Sequence, residues 1–218
     1  EAKKVFDDAQ HLLQSIIKDE KLEAKAVYGF FKAQSHSEEV KIFDDQTSFY
    51  FPRQLMDKGS QPNFSLADYI SPTGDDHIGL FAVTAGHGIE NIIKEYKAKN
   101  DDYSEIMAKV LADRLAEAAA EWLHKKVRTE YWGYSKDEDL DLNAMLYEKY
   151  CGIRPAPGYP ACPDHKEKDK IWKLLNVEEQ IGISLTESRA MFPAASVCGW
   201  YFSHPKARYF SVLKNEVL

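Results

Sequence analysis

The stretch HIGLFAVTAGHGIENIIKEY, residues 77–96, decides the fold class. Its first seven residues are apolar enough for a strand in the middle of a sheet. Thr84-Ala85-Gly86-His87-Gly88 then leads into a helical pattern through Ile89, Ile92, Ile93 and Tyr96. A strand, a Gly-x-Gly and a helix in that order would also open a dinucleotide-binding unit. Here the third glycine is missing, as is the acidic residue about 20 positions on that would grip a ribose. The segment therefore reads as a plain strand-to-helix turn.

Upstream of it, Val5, Phe6, Ala9, Leu12, Leu13, Ile16 and Ile17 recur at three- and four-residue steps, which predicts a helix over residues 3–19 packed on a sheet. Residues 26–33 and 40–43 are aromatic or β-branched and flank the polar stretch 34–39, as in a hairpin. Residues 47–51 suggest another strand, 52–65 a surface loop carrying Pro52, Gly59 and Pro62, and 68–70 a short strand.

Downstream, Asp101 or Asp102 caps the longest helix, which is predicted to run about eight turns to Tyr131. Its expected buried stripe is Ile106, Met107, Val110, Leu111, Leu115, Ala118 and Trp122. Glu117 lies seven residues after Val110, at the edge of that stripe, where a carboxylate needs a partner. A helix over 142–150, a proline-rich loop at 154–163, a helix over 166–180 and strands near 184–191, 196–203 and 208–213 complete the chain. Residues 204–207 would turn the last two strands into a hairpin. Helix, strands, long helices and strands without a βαβ repeat argue for α+β with an antiparallel sheet.

Composition narrows the function classes. A chain of 218 residues with 44% hydrophobic content supports one large domain or two small ones. No apolar run approaches the roughly 18 residues that span a bilayer. The formal charge of −7 argues against a nucleic-acid partner. Lys125-Lys126-Val127-Arg128 is the one compact basic cluster, read as a solvated helix end or, more sharply, a docking patch for an acidic protein. Cys151, Cys162 and Cys198 cannot all pair, which fits free thiols in a reducing cytoplasm. Cys162 and His165 lack a second ligand pair, so no metal site is expected.

No nucleophile elbow, P-loop, HExxH or paired-carboxylate spacing announces catalysis, and no catalytic residue is assigned. The informative segment is RPAPGYPACP, residues 154–163, with four prolines in ten. It must be stiff and extended, which suits a ligand-binding wall as well as a connector. Arg154 could grip a carboxylate in bidentate fashion, and Gly158 could let a ligand approach the backbone. Tyr159, Tyr209 and Phe210 offer aromatic surface for a flat base or a cation.

RPAPGYPACP and ASVCGWYFSHP, residues 195–205, closely resemble two hallmark stretches of the activation domain of cobalamin-dependent methionine synthase. ADRLAEA at 112–118, YWGY at 131–134 and LTES at 185–188 extend the similarity through nearly the whole chain. The resemblance implies a C-shaped α+β domain with a bent antiparallel sheet and flanking helices over 1–218, a fragment of a larger multidomain enzyme. It implies binding of S-adenosylmethionine in a shallow groove, to remethylate an oxidised cobalamin carried on a neighbouring domain after reduction by flavodoxin or an equivalent reductase. Matched positions put the ligand-binding residues at Glu117, Arg154, Ala156, Gly158, Tyr209 and Phe210, with Tyr159 adjacent. Arg154 is expected to hold the methionyl carboxylate, with backbone around Ala156 and Gly158 contacting the rest.

In the family an N-terminal arm bearing an acidic contact precedes the first helix and a C-terminal tail extends beyond the position of Leu218, and this fragment is expected to lack both. The expectation is that the fragment alone is inactive. Two other readings stay open: a docking module for cobalamin and reductase domains that binds no methyl donor, and an activator of another corrinoid methyltransferase. A cobalamin-binding domain is disfavoured, because no Asp-x-His-x-x-Gly motif is present.

Overall fold

A computed structural model describes residues 2–56 and 59–212. In chain order it has helix α1 (Ala2–Lys18), strands β1 (Glu23–His36), β2 (Glu39–Ile42), β3 (Ser48–Tyr50) and β4 (Asp76–His87), and helices α2 (Ile89–Ala98) and α3 (Asp102–Lys126). Helices α4 (Leu142–Leu146), α5 (Glu167–Leu175) and α6 (Val177–Ile181) follow, then β5 (Ser184–Leu185), β6 (Met191–Phe192) and β7 (Ser196–Tyr201). Five strands form one antiparallel sheet in the order β3-β2-β1-β4-β7, curled into a half-barrel, while β5 and β6 form a separate hairpin. This is the α+β arrangement with an antiparallel sheet and flanking helices that the sequence predicts.

Strand β4 is central because both its faces are covered. Ile78, Leu80 and Ala82 point into a core with Trp200, Phe49 and Phe51, which α5 and α6 close. Phe81 and Val83 point the other way, onto Leu123 and Val127 at the end of α3. The strand also runs further than its sequence suggests. Thr84 pairs with Lys25 on one side and Ser196 on the other, so the ladder continues and the turn shrinks to Gly88, the N-cap of α2.

Other boundaries moved for similar reasons. The polar residues at 34–36 extend β1, where Ala33 to His36 pair with Ile42 to Glu39, so the hairpin turn is confined to Ser37 and Glu38. Residues 66–69 form a short 3-10 turn instead of a strand, because Ser65 and Asp68 cap it reciprocally. The helix expected over 166–180 breaks at Asn176, which takes a left-handed conformation. Residues 203–212 contain no strand, so Tyr209 and Phe210 lie on an irregular segment, and Leu213 lies outside the described residues.

The largest misreading concerns α3. Its buried face is Ala108, Ala112, Ala116 and Ala120, at four-residue spacing, with Leu111 and Leu115 of the expected stripe partly buried against the same cluster, while Ile106, Val110 and Trp122 are 61%, 52% and 57% exposed. Small side chains let the helix lie close to β4 and α2, and that proximity outweighs the transfer energy of the larger residues. Helix α1 docks through Leu12 and Ile16 into the same alanine cluster with α2, mostly helix on helix and only marginally on the sheet. No helix among the described residues is long and apolar enough to cross a membrane.

Candidate functional site

The proline-rich loop is held along the outer edge of β7. Ile153 and Phe202 exchange backbone hydrogen bonds of 3.0 Å in both directions, and the Trp200 N–H donates to the Pro155 carbonyl at 3.0 Å. The Val212 N–H donates to the Pro160 carbonyl at 2.7 Å, tying the C-terminal segment over the loop. A proline can only accept, so its neighbours must donate. Gly199 permits this approach, since a Cβ there would overlap the Pro155 carbonyl oxygen.

The loop, α3, β7 and residues 209–211 enclose a cleft of about 660 Å³, a size suited to a small-molecule ligand. Six of the seven residues singled out from the sequence line it: Glu117, Arg154, Ala156, Tyr159, Tyr209 and Phe210. Gly158 does not. Its backbone has φ +90°, its N–H donates to Cys162 at 2.8 Å, and a Cβ there would overlap the ring of His165. The glycine therefore seats His165 and closes the turn, and His165 is what reaches the cleft. Glu117 is exposed and needs no buried partner.

Arg154 is half-hidden in the cleft wall. Its backbone N–H donates to the Tyr209 hydroxyl at 3.0 Å, and burial pushes that phenol's pKa up. The side chain uses Nη1 alone for its two bonds, to Glu121 at 2.7 Å and to the Tyr150 hydroxyl at 3.2 Å. Burial works against the guanidinium charge, and the Glu121 carboxylate together with the Tyr150 and Tyr209 phenols more than restores it, so Arg154 is held above its ordinary pKa.

Glu121 was not foreseen, nor was the polar stripe to which it belongs. Glu117, Glu121, His124 and Arg128 follow at steps of four, three and four, one face of a helix. Arg128 is fully buried, so the basic cluster at 125–128 is not wholly a solvated helix end and cannot offer that residue for docking. It grips Glu138 through Nε and Nη2, both at 2.8 Å, and lies 4.0 Å over the ring of Tyr150. Its Nη1 faces Glu121 Oε1 at 4.0 Å, and neither atom has a hydrogen-bond partner. His124, also fully buried, stacks on Tyr201 at 5.1 Å. Burial first, then the Arg128 and Arg154 cations, drive its pKa well below the ordinary imidazole range, so it is neutral. Four-residue steps of charge along a mostly apolar helix were the available signal.

Glu148, Lys168 and Cys198 complete the functional lining. Lys168 is buried and donates to the Arg189 carbonyl at 3.0 Å. The three cysteines are free thiols, and burial pushes Cys162 and Cys198 up to about 12. The cleft thus offers a cation with an uncommitted edge, two carboxylates, and aromatic rings around a stiff backbone. Those groups suit a ligand bearing a carboxylate, a positive centre and a flat base.

The family described as vitamin B12 dependent methionine synthase, activation domain, matches residues 1–216. A crystal structure of the MetH reactivation domain bound to AdoHcy is 44% identical, with a TM-score of 0.93, covering 96% of this chain and 67% of that one.

Proposed function

The chain belongs to the vitamin B12 dependent methionine synthase activation domain family, and from that premise we propose that its cleft binds S-adenosylmethionine for the reductive remethylation of cob(II)alamin in methionine synthase. The observation that carries this reading is the convergence of Glu117, Arg154, Ala156, Tyr159, Tyr209 and Phe210 on one cleft, together with a 44% identical relative bound to AdoHcy. S-adenosylmethionine supplies the methyl group when bound.

The protein's own part is to hold and orient the donor. Arg154 presents Nε and Nη2, which hold no hydrogen bond among the described residues, to the ligand's carboxylate. Glu117 and Glu148 place negative charge beside the sulfonium or the ammonium. Tyr159 and Phe210 offer rings to the adenine, and backbone around Ala156 fixes its edge. Among these groups no general acid or base is needed, because transfer of a methyl group from a sulfonium requires no proton at the donor. The domain acts as one module of a larger cytoplasmic enzyme, against that enzyme's cobalamin domain and a flavodoxin-like reductase, and is inactive alone.

Calorimetric titration of the chain with S-adenosylmethionine should give saturable binding, weakened roughly ten- to hundredfold by Arg154→Ala through the loss of charged hydrogen bonds. Absence of any heat of binding in the wild-type chain would overturn the reading. Unchanged affinity in Arg154→Ala would remove Arg154 from the site.

A further inference from the structure

We infer that Glu121 is a positioning residue for the ligand cleft, holding Arg154 so that its Nε and Nη2 edge is presented to a carboxylate. The inference deepens the proposed function and rests on its assignment of Arg154. Three features support it.

Glu121 is bound to Arg154 only at Nη1, 2.7 Å away, and Tyr150 shares that same nitrogen. Both restraints fall on one corner of the guanidinium, leaving the side-on edge for bidentate recognition. Glu121 is itself held from behind. The other carboxylate oxygen faces the Arg128 guanidinium at 4.0 Å, and Arg128 is immobilised by two 2.8 Å bonds to Glu138 and by the Tyr150 ring. Charges therefore alternate from Glu138 through Arg128 and Glu121 to Arg154. Finally, the same cleft contains Glu117 and Glu148. An arginine released from Glu121, and repelled by Arg128, would be captured by one of these carboxylates and would no longer point at the ligand. Glu121 contacts no ligand in this scheme and acts through Arg154 alone.

The test compares two ligands that differ in the part Arg154 is assigned to hold. S-adenosylhomocysteine carries the amino-acid carboxylate; 5′-methylthioadenosine does not. With the full chain, the ratio of their affinities should fall about tenfold in Glu121→Ala, the cost of leaving one side chain unordered before binding. Glu121→Gln, which keeps an acceptor oxygen, should recover part of that ratio and serves if the alanine variant does not fold. In an Arg154→Ala background, Glu121→Ala should change the ratio no further, an outcome that general loss of structure would not produce. A ratio that falls in Arg154→Ala but holds in both Glu121 variants would overturn the role of Glu121 alone. A ratio that holds in Arg154→Ala as well would overturn the assignment of Arg154, and this inference with it.

Discussion

The two halves of α3 meet their neighbours by opposite means. From Ala108 to Ala120 the helix presents methyl groups at every fourth position, and contact is made by closeness. From Glu121 on, and through the π-helical turn Val127–Tyr131 that continues it, the chain sets a half-buried carboxylate, a buried imidazole and a buried guanidinium at similar spacing, and contact is made by pairing and stacking. An all-methyl interface tolerates loss of side-chain atoms but not gain. A charged interface tolerates neither, because each group removed strands another away from water.

That contrast can be broken most severely at its polar end. Arg128→Ala leaves Glu138 buried without its counter-charge and should cost about 3–5 kcal/mol in urea unfolding. Replacing Arg128 and Glu138 together with apolar residues should recover much of this. A loss below about 1 kcal/mol for the single variant would mean that water compensates Glu138 freely. At the methyl end, Ala116→Leu should cost about 1–3 kcal/mol by forcing the helix off its neighbours, read as a drop in melting temperature. No change there would show that the close approach is not needed.

The third contrast is with pH. His124 is neutral when folded because its pKa is depressed, so the unfolded chain binds the extra proton. Its contribution to stability is complete above the unfolded value of about 6.5 and is lost as pH falls below it, by at most about 1.4 kcal/mol per pH unit. Urea unfolding at pH 7 and pH 5.5 should therefore show a larger drop for the wild type than for His124→Phe. Equal drops would sink the assignment. The smallest effect belongs to the outward face: Ile106→Lys should stay within about 0.5 kcal/mol of wild type.

That last substitution also marks where the sequence could be read and where it could not. Ile106, Val110 and Trp122 are among the large apolar residues of α3, so periodicity assigns them to the core. Burial went to the alanines, because how close a helix lies to its neighbours is a property of the assembled structure and not of the helix. The central strand and its helical neighbours were legible, since the polar-free run from Ile78 to Val83 in β4 leaves little choice. Its length was not, because Thr84 to His87 gain their partners from β1 and β7, remote in sequence. Likewise residues 208–212 read as a strand by composition but are tied to the proline loop and to Gln54 instead, with Ser211 accepting from Gln54 at 2.7 Å.

The cleft was legible where its residues sit together in sequence. Arg154 and Tyr159 come from one stiff loop, Glu117 from the helix pattern and Tyr209 and Phe210 from their aromatic surface, and resemblance added Ala156 and gathered all of them into one site. Glu121 escaped notice because its meaning depends on Arg154, 33 residues away, and on Arg128, which composition alone places in solvent. Gly158 was read as a place of close approach for the ligand, and the neighbour that fills its Cβ side is His165. A glycine announces a close neighbour without saying which one.

Cys198 sits in the wall of the same cleft, buried, with its thiol pushed up to about 12. Only the thiolate is a competent nucleophile, and at neutral pH the anionic fraction is on the order of one part in 10⁵. For the sulfonium ligand proposed for this cleft, a sulfur atom in the wall is therefore a poor competitor for the methyl group. The apolar burial that packs β7 against the core thereby also keeps this thiol protonated in the cleft wall.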